Sequence, residues 1–165
     1  MIEHSFWGRV EADWAGFSAE KQYSPPDFPD AEIDVFLGDE FDDEGNEVED
    51  PPSAEALDQF QITFENFVKG EREVFENIVE KCFQRYLKLY AHHYEDSAKS
   101  GSPPLGVATS RAHFGFIEGI LVVRVLSDDT IIIPMRYALD VEHGLEVRIQ
   151  ANKVVDIGGI AETHI

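Results

Sequence analysis

Val74, Phe75, Ile78, Val79, Cys82, Phe83, Tyr86, Leu87 and Tyr90 recur at intervals of three and four residues. Only a helix gathers such a set on one side of the chain. The spacing predicts a helix of about seven turns with one wide apolar stripe. Lys and Arg alternate with Glu on its other face, as on a solvated surface. Such a helix holds together only by covering something equally apolar, so it is expected to lie across a sheet. Leu57, Phe60, Phe64, Phe67 and Val68 repeat the pattern over residues 54–68. Pro51-Pro52-Ser53 supplies the break and helix start before them, and Gly70 reads as the stop.

Strand signals flank this helical middle. Residues 5–14, SFWGRVEADW, read as a short strand or hairpin. AEIDVFL, 31–37, alternates, with Ile33, Val35 and Leu37 on one face and Glu32, Asp34 and Phe36 on the other, as in a half-buried strand. SAKSGSPPLG, 97–106, reads as a loop. FGFIEGILVVRVL, TIIIPM, LEVRI and VVDIGG follow as strands, joined through Asp128-Asp129 and Asn152-Lys153. Strands, then helices, then strands give an α+β fold rather than βαβ units. The expectation is a single domain over 1–165, with an antiparallel β-sheet packed against one long α-helix plus a shorter helix. It comprises an acidic loop 38–52, a helical region 53–96 and a C-terminal β-meander 113–158.

Charge narrows the function classes. The chain of 165 residues carries 33 acidic and 13 basic side chains, a formal net charge of −20. Such a field repels nucleic acid and anionic membranes and attracts a basic protein partner. Hydrophobic residues make up 43%, enough for a real core, yet no apolar run approaches a membrane span. The lone Cys82 excludes an internal disulfide, and the N-terminus lacks a signal-peptide pattern, so a cytoplasmic location is expected.

The acid is concentrated. Fourteen acidic residues and no Lys or Arg lie between Asp27 and Asp58, with the densest stretch, DEFDDEGNEVED, at 39–50. As a calcium loop it fails: with Gly45 at the sixth position, the twelfth falls on Pro51, which has no carboxylate. Glu44-Gly45-Asn46 fits the turn of a solvated hairpin tip. Asp39, Glu40, Asp42, Asp43, Glu44, Glu47 and Glu49 are the candidate partner-binding residues, since a single-sign field costs self-repulsion.

Enzymatic chemistry finds little footing. No nucleophile–base pair, H-E-x-x-H, Walker or GxGxxG pattern is present. Cys82 falls inside the apolar stripe, where a thiol is a small hydrophobe. His92-His93 is read as the end of the long helix, where an imidazole gains from the helix dipole. Asp140, Glu142, His143 and Gly144 form a compact group. In an extended chain Asp140 and Glu142 share a face while His143 points away, so zinc would need a ligand such as His113 from an adjacent predicted strand. The plainer reading is a turn in which His143 hydrogen-bonds locally and Gly144 is left-handed. No metal, cofactor or catalytic residue is assigned.

The segment 133–159 resembles the C-terminal signature of a group of bacterial domains of unknown function that includes the DUF6985 and DUF2004 types. Asp140, Glu142, His143, Gly144, Leu145, Val147, Lys153, Val154, Ile157 and Gly158 carry it. The resemblance implies a binding role, since several such families look like immunity proteins set beside toxins. The expectation is therefore a non-enzymatic inhibitor of a basic, nuclease-type toxin domain, acting through the acidic stretch. A metal-assisted hydrolase using Asp140, Glu142, His143 and His113, or a scaffold protein, are the alternatives.

Overall fold

The computed structural model describes residues 1–163. Nine strands form one sheet: β1 (Ile2–His4), β2 (Gly8–Asp13), β3 (Gly16–Tyr23), β4 (Ile33–Leu37), β5 (Ile117–Ile120), β6 (Val123–Val125), β7 (Thr130–Tyr137), β8 (Leu145–Gln150) and β9 (Lys153–Gly158). Five helices separate β4 from β5: α1 (Ala54–Lys69), α2 (Glu71–Leu89), α3 (Ala91–Tyr94), α4 (Ser97–Ser100) and α5 (Ser110–Phe114).

The architecture is α+β, and the expected antiparallel order holds in each half. β1 to β4 form one run and β6 to β9 another. The halves meet through a parallel pair, β4 with β6, matching Val35 to Val123 and Leu37 to Val125. A parallel pair needs a long crossover, and here it contains every described helix. The expectation of a wholly antiparallel sheet is corrected at this one seam.

The predicted strand 114–126 is also corrected. Its first residue ends α5, and the rest divides into β5 and β6, both paired to β7. Leu121 between them still donates to the Pro134 carbonyl at 2.9 Å. A strand residue points its N–H and C=O at the same neighbour, so the donor that proline lacks is missing at this break. The hairpin turns fall at Asp128-Asp129, as expected, and at Ala151-Asn152, one residue earlier than expected. Both central residues have positive φ in each, the geometry that matches strand twist.

The helices correct the expectation of one dominant element. α2 has 19 residues, about five turns rather than seven, and α1 has 16. They share the covering of the sheet, α1 over β6 and β7 and α2 along β9 and α5. Ser53 caps α1 by accepting from the Ala56 N–H, and Gly70 ends it, but α2 starts in the next residue. His92 and His93 lie on the separate α3, not on the long helix. Of the stripe, Val74, Phe75, Ile78, Val79, Cys82 and Tyr86 are buried, while Leu87 is exposed. The loop predicted over 97–106 opens with α4.

Alternation sends Val35, Leu37, Val123, Val125, Ile131, Ile133, Val147 and Ile149 into the helix-covered core. An aromatic series packs beside them. Trp7 meets Phe6 and Phe64 with ring centroids 4.8 and 5.3 Å away, and Phe64, Tyr23, Phe67 and Phe75 continue it. The opposite sheet face carries a small second cluster, Ala15, Phe36 and Val122. Phe36, expected on the exposed face of its strand, is fully buried there. Among the described residues no helix is long and apolar enough to cross a membrane.

Candidate functional site

The acidic stretch folds as a hairpin. Phe41 and Glu47 bridge antiparallel, the Asp42 N–H donates to the Asn46 carbonyl at 2.8 Å, and Gly45 closes the turn at φ +85°. The turn lies at the expected residues. Asp42 is committed to building it, since one carboxylate oxygen accepts from the N–H groups of Glu44 and Asn46, each at 2.9 Å. Glu40 is half-buried, 4.0 Å from the Arg124 guanidinium. Asp39, Asp43, Glu44, Glu47 and Glu49 are exposed and make no ion pair among the described residues. The seven predicted residues thus divide into two that hold the hairpin and five that face solvent.

Two of the clefts that the hairpin borders also reach Trp14. One, of about 270 Å³, lies between it and the β2–β3 turn, lined by Asp13, Trp14, Glu40, Glu47 and Glu49. The other, of about 360 Å³, opens on the sheet face away from the helices. Trp14 and Phe41 stand on its rim, 68% and 50% exposed. Sequence reasoning missed Arg124, whose signal was a lone cation inside the apolar run ILVVRVL. Its guanidinium donates to the carbonyls of Gly38 at 2.8 Å and Ala15 at 2.6 Å and lies 5.5 Å from the Phe36 ring. Burial lowers its pKa, and Glu40 and Asp39 oppose that.

The Asp140 group forms a turn after β7. The chain here turns, as in the plainer reading, and is not extended: the Asp140 carboxylate accepts from the His143 N–H at 3.1 Å and sits 3.0 Å from its Nδ1. Tyr90, next to the end of α2, donates to the same carboxylate at 2.8 Å, and Tyr94 donates to the Leu139 carbonyl at 2.7 Å. Burial raises the Asp140 pKa, but the hydrogen bonds from Tyr90 and His143 hold it below the ordinary value. The Asp140 hydrogen bond and charge raise that of His143. Glu142 is exposed and adds only a smaller electrostatic pull on His143.

Gly144 is left-handed at φ +64°, as expected of the plainer reading. A Cβ there would lie 2.7 Å from Ile160 Cδ1 and 3.0 Å from the Met135 carbonyl. Gly144→Ala is therefore expected to cost roughly 2 kcal/mol from backbone strain and crowding. Urea unfolding measures it, and an unchanged midpoint would show that the turn yields freely.

His113 is not beside this group on a strand, as expected, but on α5. It is fully buried among the rings of Phe83, Tyr86 and Tyr137, with Nε2 2.7 Å from the Tyr137 hydroxyl. Among the described residues no three His, Cys, Asp or Glu side chains converge on a point a metal could occupy. Cys82 is buried, and desolvation pushes its thiol up to about 12, which suits an inert core group.

No curated protein and no solved structure matches the chain. One family profile does, over residues 6–165, and it covers both the acidic hairpin and the Asp140 turn. The chain belongs to the family described as domain of unknown function DUF6985.

Proposed function

We propose that the protein is a non-enzymatic, immunity-type inhibitor from the bacterial cytoplasm that binds and neutralises a basic toxin domain. A nuclease is the kind of target whose cationic active site such a surface would fit. One observation carries the reading: Asp39, Asp43, Glu44, Glu47 and Glu49 face solvent and make no ion pair among the described residues, beside two exposed aromatic rings. Acidic side chains held on an ordered hairpin can substitute for phosphates and raise the encounter rate with a basic surface. The aromatic rings offer anchors of the type that dominates interface energetics.

The metal-assisted hydrolase has less support. His113 is buried on α5 against Tyr137, and among the described residues it does not converge with Asp140, Glu142 and His143 on a point a metal could occupy.

The test is co-purification with basic products of adjacent genes, comparing the native chain with a variant carrying Asp39→Asn, Asp43→Asn, Glu44→Gln, Glu47→Gln and Glu49→Gln. Asp42 and Glu40 stay, because they hold the hairpin. A one-to-one complex is expected, weakened about tenfold or more by the five changes and by added salt. No complex, or one indifferent to both, would defeat the proposal and favour a scaffold with a merely solubilising acidic face.

A further inference from the structure

The cleft on the open sheet face combines apolar and acidic lining. Its floor is apolar, formed by Val122, Ile132 and Pro134, and Ile160 forms one wall. Trp14, Phe41 and Ile160 are exposed around it, at 68%, 50% and 40%. Single exposed hydrophobes are ordinary, but three around one groove are not.

Both sides of the groove are fastened by charges that the fold has already satisfied. Arg124 binds the carbonyl of Ala15, next to Trp14, and that of Gly38, next to Asp39. One guanidinium thus fixes the aromatic rim and the acidic rim to the same strand. On the far side the buried Glu146 carboxylate accepts from the Ala161 N–H at 3.1 Å and from the Thr163 hydroxyl. That holds the chain after β9 upright as a wall. A groove built in this way loses little entropy when it is filled.

Asp39 and Glu40 also line it, and the acidic hairpin rises beside them. Apolar walls call for an apolar side chain, and the carboxylates call for cations on either side of it. From this we infer that the groove docks a segment of the basic partner in which a large apolar side chain is flanked by lysine or arginine. The apolar side chain enters between Trp14 and Phe41 onto Val122 and Pro134. The flanking cations meet Asp39 and the hairpin. The inference rests on the proposed inhibitor reading and names the feature of the partner that the protein would select.

The test uses the full chain and three synthetic peptides: acetyl-Lys-Lys-Phe-Leu-Lys-Lys-amide, the same peptide with Gly-Ser at its centre, and the Phe-Leu peptide flanked by Glu. Acrylamide quenching of tryptophan emission reports the groove, since Trp7 is fully buried and Trp14 is the exposed indole. The lysine-flanked Phe-Leu peptide is expected to shield Trp14 and to bind about tenfold or more tightly than the Gly-Ser peptide. Calorimetry should show that difference vanish in Trp14→Ala and Phe41→Ala, both changes at exposed positions. Equal binding of the Phe-Leu and Gly-Ser lysine peptides overturns the groove and leaves the acidic-surface reading standing. Equal binding of the lysine- and glutamate-flanked peptides overturns the acidic-surface reading and the cationic half of this one. Failure of all three peptides to shield Trp14 overturns the groove.

Discussion

Replacing Trp7 by alanine will cost about 4 kcal/mol of folding stability, while the same change at Trp14 will cost less than about 1 kcal/mol. The two residues lie in one short stretch, SFWGRVEADW. Trp7 is fully buried, meets the rings of Phe6 and Phe64, and donates from its indole nitrogen to the Leu57 carbonyl at 3.0 Å. Its removal leaves a large cavity between the N-terminal strands and α1, and it takes a donor from the first turns of that helix. Trp14 is mostly exposed and touches only the edge of the second cluster through Phe36, with centroids 5.3 Å apart. Urea unfolding checks both. In thermal melts, Trp7→Ala should lower the midpoint by about 10–15 °C. Equal losses at the two positions would show that Trp7 does not carry the packing between β2 and α1.

Acid will weaken the fold before most carboxylates titrate, through His113. Burial drives its pKa from 6.5 down to about 4. Both folded and unfolded chains hold a neutral imidazole above about pH 6.5. As pH falls through that value the unfolded chain takes up a proton that the folded chain refuses. Stability therefore drops progressively between about pH 6.5 and pH 4, by about 3 kcal/mol for a shift of this size. His143 works the other way. Its raised pKa contributes stability that is complete below about 6.5 and is lost as pH climbs through the folded value. Asp140 and Glu95, both lowered, lose their contributions only near and below the ordinary carboxylate range. Denaturant unfolding at several pH values between 4 and 7 should show the decline in the native chain and a flatter profile in His113→Phe. The slope is the readout, because removing the imidazole also strands the Tyr137 hydroxyl. Identical slopes in the two proteins would clear His113 of the effect.

Local periodicity made much of this fold legible. β4 and β8 follow from alternation, β7 and β9 from short β-branched runs bounded by turns, α1 and α2 from three-and-four spacing, and the Asp128-Asp129 turn from its residue types. What escaped was set by residues far apart in sequence. Nothing near Val35 announces that Val123 lies beside it in parallel. The break between β5 and β6 reflects a proline on the neighbouring strand. Phe36 reads as solvent-facing because its cover, Ala15 and Val122, comes from two other segments. The site divides the same way. The hairpin turn could be read from Glu44-Gly45-Asn46, and the left-handed Gly144 from its neighbours. The groove could not, since Trp14, Phe41, Val122 and Ile160 belong to four separate stretches joined only by the fold and by Arg124.

The parallel seam also has a kinetic meaning. The two antiparallel halves close over short turns, and such hairpins form within microseconds. Joining them requires Val35 to find Val123 across the whole helical crossover, a closure that costs about 4 kcal/mol of chain entropy before any contact repays it. Until then β4 and β6 are both open edges, each matched to the other. A second molecule caught at the same stage offers the same pair of edges. The seam that unites the sheet is thus also where two chains would exchange halves and become a swapped dimer.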